Sequence, residues 1–551
     1  MKPLSDREST GEDVQLESGF PAAVDIGDSA SFTSMPQADG QLKRKLRSRH
    51  VQMIAIGSCI GTGLLIGCGK VLHTGGPLSL VLSFALVGVA LAIMMQGLGE
   101  LAVVLPVSGG VTDYATRFFN DSLGFAVGWQ YWLAWVAIFG AEASAFSLLI
   151  GYWNDEHKYI PLWISIFIIV NLAVHLFPVN VFAEVEVVVS AVKIISIFIF
   201  IIVVWVIMGG GGPHGAKHGA GNWHLPELDN GVLHGFRGIA SGFVTAAFAT
   251  GGTEMVAIVA GEMQAPRRDL PAAINLLMWR IFVFYVVAML FLTFVVPYNN
   301  EALIGGSKTN SSPFIQAIKG AGIQALPDVL NAVVMVCVCS VASSSVYIAS
   351  RTLKTMADMG YAFRIFNKVD AQGRPWTALI FTASVSIVLA YLNCSSTGAI
   401  VFSWFSAISG EAFFIVWMVF ILCNWRFRGA VDMQKDDLFD KPFAFRQPLY
   451  PWLPMLSFVM FLFMLVSQVI LSLWPIDGQP TASKFFSDCL SLPLFIVMWA
   501  GHQLWSRQPL KNLKVIDLHT GRRRMEAWEM EELQNRQSLK WYQRALSYLK
   551  L

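Results

Sequence analysis

Residues 55–70 read AIGSCIGTGLLIGCGK, with Gly57, Gly61, Gly63, Gly67 and Gly69 set into an otherwise apolar run. Five glycines give a hydrophobic segment unusual backbone freedom, and the spacing argues against a phosphate loop. A Walker loop leaves four residues between its glycines and follows Gly-Lys with Ser or Thr. Here Gly63 to Gly69 encloses five residues, and Val71 follows Lys70. The dinucleotide fingerprint also misses, because the third glycine after Gly61-Thr62-Gly63 comes one place late, at Gly67. Two readings remain. Gly57 with Gly61, and Gly63 with Gly67, have the small-xxx-small spacing of packed membrane helices. Alternatively, the glycines interrupt the helix where irregular backbone is buried in protein or lines a wet cavity.

The surroundings of this stretch place it in a bilayer. Of 551 residues 55% are hydrophobic and only 14% charged, with mean hydropathy +0.55, against roughly 25% charge in soluble domains. A helical span needs about 20 mostly apolar residues. Candidates lie at 51–72, 77–104, 123–152, 160–178, 185–208, 238–262, 275–297, 327–352, 375–392, 397–424, 451–474 and 484–506, which predicts twelve spans. Lys and Arg collect in cytoplasmic loops. They cluster as Lys43, Arg44, Lys45, Arg47 and Arg49 before span one, and as Arg351, Lys354, Arg364, Lys368 and Arg374 after span eight. The loop after span ten holds five more, whereas those after spans nine and eleven hold none. Both termini are therefore expected in the cytoplasm.

The first forty or so residues carry Asp6, Glu8, Glu12, Asp13 and Glu17 among Ser, Thr, Gly and Pro. They lack a signal-peptide core and the apolar content to fold, so residues 1–42 are expected to be a disordered tail. Residues 43–506 would form the membrane domain and 507–551 a cytoplasmic tail. In that tail MEAWEMEELQNRQSLKWYQRALSYL, from Met525, could lie on the membrane or the protein as an amphipathic helix. A net charge of +2, spread over inside loops, gives nucleic-acid binding no support. The seven cysteines sit in or beside apolar spans without zinc-type pairing, which points to packing rather than to disulfides or metal.

Span six carries a second interruption. Thr250-Gly251-Gly252-Thr253 falls in the middle of SGFVTAAFATGGTEMVAIVAGE. Two interrupted spans, five apart, point to an inverted repeat. In transporters of that design anionic groups meet half-helix amino termini and cations meet unwound carbonyls near the midplane.

Seven segments in order carry a resemblance: IAIGSCIGTGLLIG, LPVSGG, FGAEASAFSLLIGYW, AFATGGTEMVAIVAGE with APRRDLPAAI, SSPFIQAIKGAGIQALPDVLNAV, SSSVYIASRTL and SAISGEAFFIVW. From about 45 to 525 the chain resembles the fungal yeast-type amino acid transporter (amino acid permease) family of the amino acid, polyamine and organocation superfamily. The resemblance implies an all-α membrane protein of twelve transmembrane helices. Its fold would be the LeuT-like five-plus-five inverted repeat with broken helices 1 and 6, plus two extra C-terminal helices. Carried over by motif, the substrate would lie against Ser58, Cys59, Ile60, Gly61, Thr62 and Gly63 of span one. From span six it would meet Phe248, Ala249, Thr250, Gly251 and Gly252. Its carboxylate would meet amides of Gly61, Thr62 and Gly63, and its ammonium carbonyls near Phe248, Ala249 and Thr250, with Phe248 as the aromatic gate. No catalytic residue, metal or cofactor is implied.

Ionisable residues inside a span are expensive and mark function by default. Glu142 matches the family's glutamate in span three. It could hold the substrate ammonium, a basic side chain or the coupled proton, or serve helix packing in a protonated form. Glu254 resembles the superfamily's proton-linked glutamate, with capping of the inner half-helix as the alternative. Lys193 resembles the lysine that replaces sodium in proton-coupled relatives, and pairing with a nearby acid is the structural reading. Glu411 departs from the family; facing the cavity it would favour cationic substrates, and nearer the cytoplasm it would snorkel or pair with an arginine. Glu184 and Glu186 match a family pattern beside the inside loop and read as interface anchors. Ser58, Leu65 and Ala342-Ser343 also depart from the family and could reshape the pocket, while Trp404 and Ser409 either line the cavity or pack.

The function implied is a symporter that imports L-amino acids with protons across the plasma membrane by alternating access. Its partners would be substrate, protons, the bilayer and, at the tails, trafficking or ubiquitination machinery. An amino acid sensor is the second reading, for which the amino-terminal tail is short. A permease for a polyamine or other amine metabolite is the third. A membrane-embedded enzyme would need a catalytic set such as His-Glu-x-x-His or Gly-x-Ser-x-Gly, which the spans lack.

Overall fold

Backbone amides in a bilayer must be satisfied within the chain, and this chain does so with helices, with an isolated bridge between Asp229 and Val232 outside them. The computed structural model describes residues 48–522 except 108, 155, 214, 216–218, 264–265, 301–302, 304–311, 324, 395–397, 441–443 and 477, together with 530–531 and 534–535. The tail expected over 1–42 lies outside them, as does the helix expected from Met525 apart from those four positions.

The first span is interrupted. Helix α1 (Ser48–Gly57) ends where the glycines begin, a π-helical turn covers Gly63–Gly67, and α2 (Cys68–Gly75) completes the crossing. Gly76, at φ +86°, turns the chain into α3 (Pro77–Val104), whose first residue is the proline that such a start tolerates. The short α4 (Val111–Phe118) precedes α5 (Asp121–Ile150), which Asn120 caps by accepting from the Leu123 amide at 3.0 Å. Next come α6 (Ile160–Ala173) and α7 (Val179–Met208). The sixth span is again in pieces, α8 (Phe236–Ser241), α9 (Phe243–Thr250) and α10 (Met255–Val259). Helices α11 (Pro266–Ile281) and α12 (Ala288–Val295) are joined through a π-helical stretch into one crossing. The remainder comprises α13 (Pro313–Gly320), α14 (Ala325–Asp358), α15 (Trp376–Tyr391), α16 (Gly398–Gln434), α17 (Trp452–Leu473), α18 (Ala482–Cys489) and α19 (Ser491–Ser506).

Among the described residues eight helices are long and apolar enough to cross a membrane, and nine if α18 and α19, bent by 74° at Leu490, count as one. Three further expected spans fail a simple length test: 51–72 and 238–262 are broken, and the apolar helix over Ile160–Leu176 is short. Helices α14 and α16 overrun their expected ends at 352 and 424, reaching Asp358 and Gln434. Hydropathy marks where the lipid stops, whereas a helix continues as long as its backbone bonds do.

Apolarity does not predict burial. The most apolar span, α7, has 28% of its window buried and turns Val188, Ile202 and Trp205 outward. Helix α5, among the least apolar, is 89% buried and packs against α14 and α16. With lipid as solvent, apolar faces need no protein cover, and α5 is enclosed instead by α4, α14, α15, α16 and α19. On the end carrying most loop cations, residues 511–522 fold back onto the bundle. The Lys511 amide donates to the Phe119 carbonyl at 2.9 Å, Gln434 Nε2 donates to the Leu513 and Ile516 carbonyls at 2.8 and 2.9 Å, and Arg522 pairs with Asp436 at 2.7 Å.

Candidate functional site

Ser58 to Gly61 lie between α1 and the π-helical turn, outside regular helix. In the sixth span Gly251 leaves helical backbone at φ −57°, ψ 142°, and Gly252 adopts φ +99°, a conformation that favours glycine. The two breaks meet. Ser58 Oγ donates to the Gly252 carbonyl at 3.3 Å, and a Cβ on Gly63 would lie 2.6 Å from Ala249 Cα. Glycine at 63 is therefore required for the close approach of the two backbones. The packing reading of the glycines and the interruption reading both hold: Gly63 packs on α9, and the chain from Ser58 to Gly61 is irregular.

A small cavity of about 10 Å³, the size of one water position, opens between the breaks. Ser58, Cys59, Gly61, Gly63, Glu142, Phe248 and Gly251 line it, together with Ile138 and Val341. Sequence reasoning missed these last two, because an aliphatic residue in an apolar span carries no signal. Phe248 sits edge-on against Phe402, with centroids 6.0 Å apart. From α5, Glu142 accepts from Thr62 Oγ1 at 2.8 Å, while its Oε2 has no partner among the described residues. Glu142 thus stands at the start of the second half of the first span, where the substrate carboxylate was expected.

The other expected site residues separate from this cavity. Ile60 turns to a second, apolar cavity that it shares with Leu65, Lys193, Phe200 and Phe314. Ala249, expected to offer its carbonyl to the substrate, already accepts there from Tyr285 Oη at 3.0 Å. The Thr250 hydroxyl donates back to the Ala246 carbonyl at 2.8 Å. Glu254 accepts from the Gly252 amide at 3.2 Å, from Tyr131 Oη at 3.0 Å and from Trp417 Nε1 at 3.2 Å. Those donors brace the turn of the sixth span against α5 and α16.

Lys193 is fully buried and, among the described residues, touches no acid directly. Its Nζ donates to the Gly57 carbonyl at 2.5 Å and to Ser340 Oγ at 2.9 Å. Glu411 turns away from the cavity and accepts from the Ser491 amide at 3.2 Å, at the bend between α18 and α19. That position removes the cation-selecting and loop-pairing readings. Trp404 is 45% exposed and points outward, and Ser409 donates to the Ala134 carbonyl at 3.0 Å, so neither lines the cavity. Ser343, expected to reshape the pocket, instead bonds Asn171 of α6 at 3.1 Å. The expected anchors Glu184 and Glu186 part company. Glu184 is half exposed and meets His50 at 3.0 Å, whereas Glu186 is 2% exposed and belongs to the interior.

Comparison with known proteins bears on this arrangement. The amino acid permease family model matches residues 50–515. A general amino-acid permease of Saccharomyces cerevisiae is 37% identical over 498 residues, which is 89% of this chain and 82% of the relative. A cationic amino acid transporter of Schizosaccharomyces pombe is 37% identical over 499 residues, 89% of this chain and 83% of the relative. An S-adenosylmethionine permease of Candida albicans is 37% identical over 516 residues, 92% of this chain and 83% of the relative.

Proposed function

The chain belongs to the amino acid permease family, and on that premise we propose that it is a proton-coupled symporter importing L-amino acids across the plasma membrane by alternating access. Twelve spans are supported by the eight long apolar helices, to which this reading adds the bent pair, the short apolar helix and the two interrupted segments. Breaks in the first and sixth support a five-plus-five inverted repeat with two added helices. On this reading residues 1–42 and 507–551 are cytoplasmic tails flanking a permease domain at 43–506, with the loop cations inside.

One observation carries the mechanism: the half-satisfied Glu142 carboxylate at the start of the outer half of the first span. A zwitterion needs a positive helix end for its carboxylate and an acceptor for its ammonium. An ionised Glu142 repels the substrate carboxylate from the Gly61–Gly63 amides and attracts the ammonium; a protonated Glu142 relieves the repulsion. Loading a proton and loading a substrate thus favour one another at the same carboxyl. The cavity, about 10 Å³, is too small for an amino acid, so the Phe248 ring and the half-helices move to admit one. Lys193 at the Gly57 carbonyl supplies a second ionisable group against the inner half-helix.

The test is uptake of labelled acidic, neutral, basic and proline substrates in permease-deficient yeast at acidic pH, with and without a protonophore. Saturable uptake abolished by the protonophore is expected. Uptake indifferent to it would sink proton coupling, and no uptake from protein present at the surface would sink transport of amino acids. The S-adenosylmethionine permease among the relatives favours a second reading in which the amino acid moiety bears a larger group. It is separated from the first by competition: S-adenosylmethionine would outcompete every protein amino acid.

A further inference from the structure

Glu186, two turns into α7, has no part in the reading above, yet it is almost wholly buried. Ser340 Oγ, from α14, donates to its Oε1 at 2.6 Å. The same hydroxyl accepts from Lys193 Nζ at 2.9 Å, and that ammonium also donates to the Gly57 carbonyl at 2.5 Å. A carbonyl at the carboxyl end of α1, a cation, a hydroxyl and a carboxylate therefore stand in file. The absence of a side chain at Gly57 leaves room for it, since a Cβ there would lie 1.9 Å from Glu186 Oε1 and 2.3 Å from Ser190 Oγ. Ser190 in turn donates to the Met53 carbonyl at 2.8 Å, fixing α1 to α7 one turn further back.

We propose that Glu186 is the group through which Lys193 exchanges its proton with the end of the bundle where α7 begins, by way of Ser340. The inference rests on the proton-coupled reading. Both hydrogen bonds point the same way, from Lys193 to Ser340 and from Ser340 to Glu186. In one shift Lys193 passes an N–H proton to Ser340 Oγ as Ser340 passes its own O–H proton to Glu186 Oε1. The ammonium becomes an amine, the carboxylate an acid and the serine is unchanged, so atoms and charge balance. Opposite charges are annihilated in place rather than separated, which suits a site shielded from water. The loss of the ammonium also removes the ion–dipole attraction that holds the Gly57 carbonyl, so proton release loosens the inner half of the first span.

The titratable groups facing Lys193 are Glu142 of α5, Cys59 in the break, Cys337 and Cys339 of α14, and Glu186 on its own helix. Among the described residues Ser340 alone bonds both Lys193 and Glu186. Glu186 lies seven residues before Lys193, about 10 Å along the helix axis, on the side of the half-exposed Glu184 and its partner His50.

The experiment uses purified full-length protein in proteoliposomes with a radiolabelled mixture of protein L-amino acids. It compares accumulation driven by a pH gradient with exchange at equal pH on both sides. Glu186→Gln and Ser340→Ala are expected to lower gradient-driven accumulation by about tenfold or more, with exchange within about twofold of wild type, while Ser340→Thr, which keeps the hydroxyl, accumulates normally. Wild-type accumulation by Glu186→Gln, from a wild type that does respond to the gradient, overturns the relay alone. An equal fall in exchange and accumulation for Glu186→Gln and Ser340→Ala assigns them a structural role and also overturns it. A wild type that exchanges but ignores the gradient overturns the proton-coupled reading and the relay with it.

Discussion

Gly63 illustrates how far a residue's environment departs from its propensity. Alanine in place of a helical glycine ordinarily gains about 1 kcal/mol, but here the new methyl would meet Ala249 Cα at 2.6 Å and Ala249 N at 2.8 Å. Backbone atoms cannot swing aside as a side chain can. Gly63→Ala is expected to cost about 1–3 kcal/mol and to lower the melting temperature of the detergent-purified protein. Gly320→Ala, at the end of α13 with nothing within 4 Å, should leave it unchanged or slightly raised. A Gly63→Ala protein as stable as wild type would mean that the two breaks are not in contact. At Glu142 the expectation concerns chemistry. Glu142→Gln keeps an acceptor for the Thr62 hydroxyl, so the protein should reach the membrane in normal amount yet lose uptake by about tenfold or more; full uptake at acidic and neutral pH would remove Glu142 from the mechanism. The glycines and Glu142 stood out in the sequence because each is out of place in an apolar helix, whereas Thr62 came only with the family resemblance. Ile138 and Val341 were not, and neither was the taking of the Ala249 carbonyl by Tyr285, because only the fold decides which apolar faces and which hydroxyls point inward.

At the scale of elements, apolar runs located the helices but not their ends or their bends. Helix α16 continues ten residues past its expected limit to Gln434. Past that limit Arg428 meets Glu100 of α3 with two hydrogen bonds of 2.7 and 2.6 Å. Glu411 is the sharper case. In sequence it was an ionisable residue near a suspected cavity; in the structure it accepts from the backbone at the 74° bend of α18 and α19. Glu411→Gln is accordingly expected to preserve the order of preference among basic, neutral and acidic substrates. Glu411→Leu should destabilise the protein by about 1–3 kcal/mol through loss of an acceptor for a buried amide, read as a lower melting temperature. A changed preference in Glu411→Gln would return the residue to the substrate site.

At the scale of the whole molecule the returning segment 511–522 ties distant parts of the chain together. Arg117 of α4 donates to the Thr520 carbonyl at 3.0 Å, Arg426 of α16 donates to the Phe118 and Lys511 carbonyls, and Arg522 pairs with Asp436. Partial burial tends to raise the Asp517 carboxyl, but hydrogen bonds from Thr520 and the His519 amide, with Arg117 nearby, outweigh it and hold the group down to about 2. A carboxyl lowered on folding stabilises above its ordinary value of about 3.9 and loses that contribution as pH falls toward the folded value. Protease sensitivity of the segment should therefore be constant from about pH 8 to 5 and rise only below about pH 4; a rise near pH 6 would show that another group controls the contact. The sequence by itself determined that this is a multi-pass helical membrane protein of the permease family, and where its backbone breaks, because lipid tolerates neither charge nor unpaired amides and glycine clusters betray the exceptions. Only the tertiary structure decided which acid faces the cavity, which braces a turn and which stands behind Lys193. Glu142, Glu186, Glu254 and Glu411 are all glutamates in apolar helices, and what distinguishes them is the neighbour that the packing of other spans brings within hydrogen-bond reach.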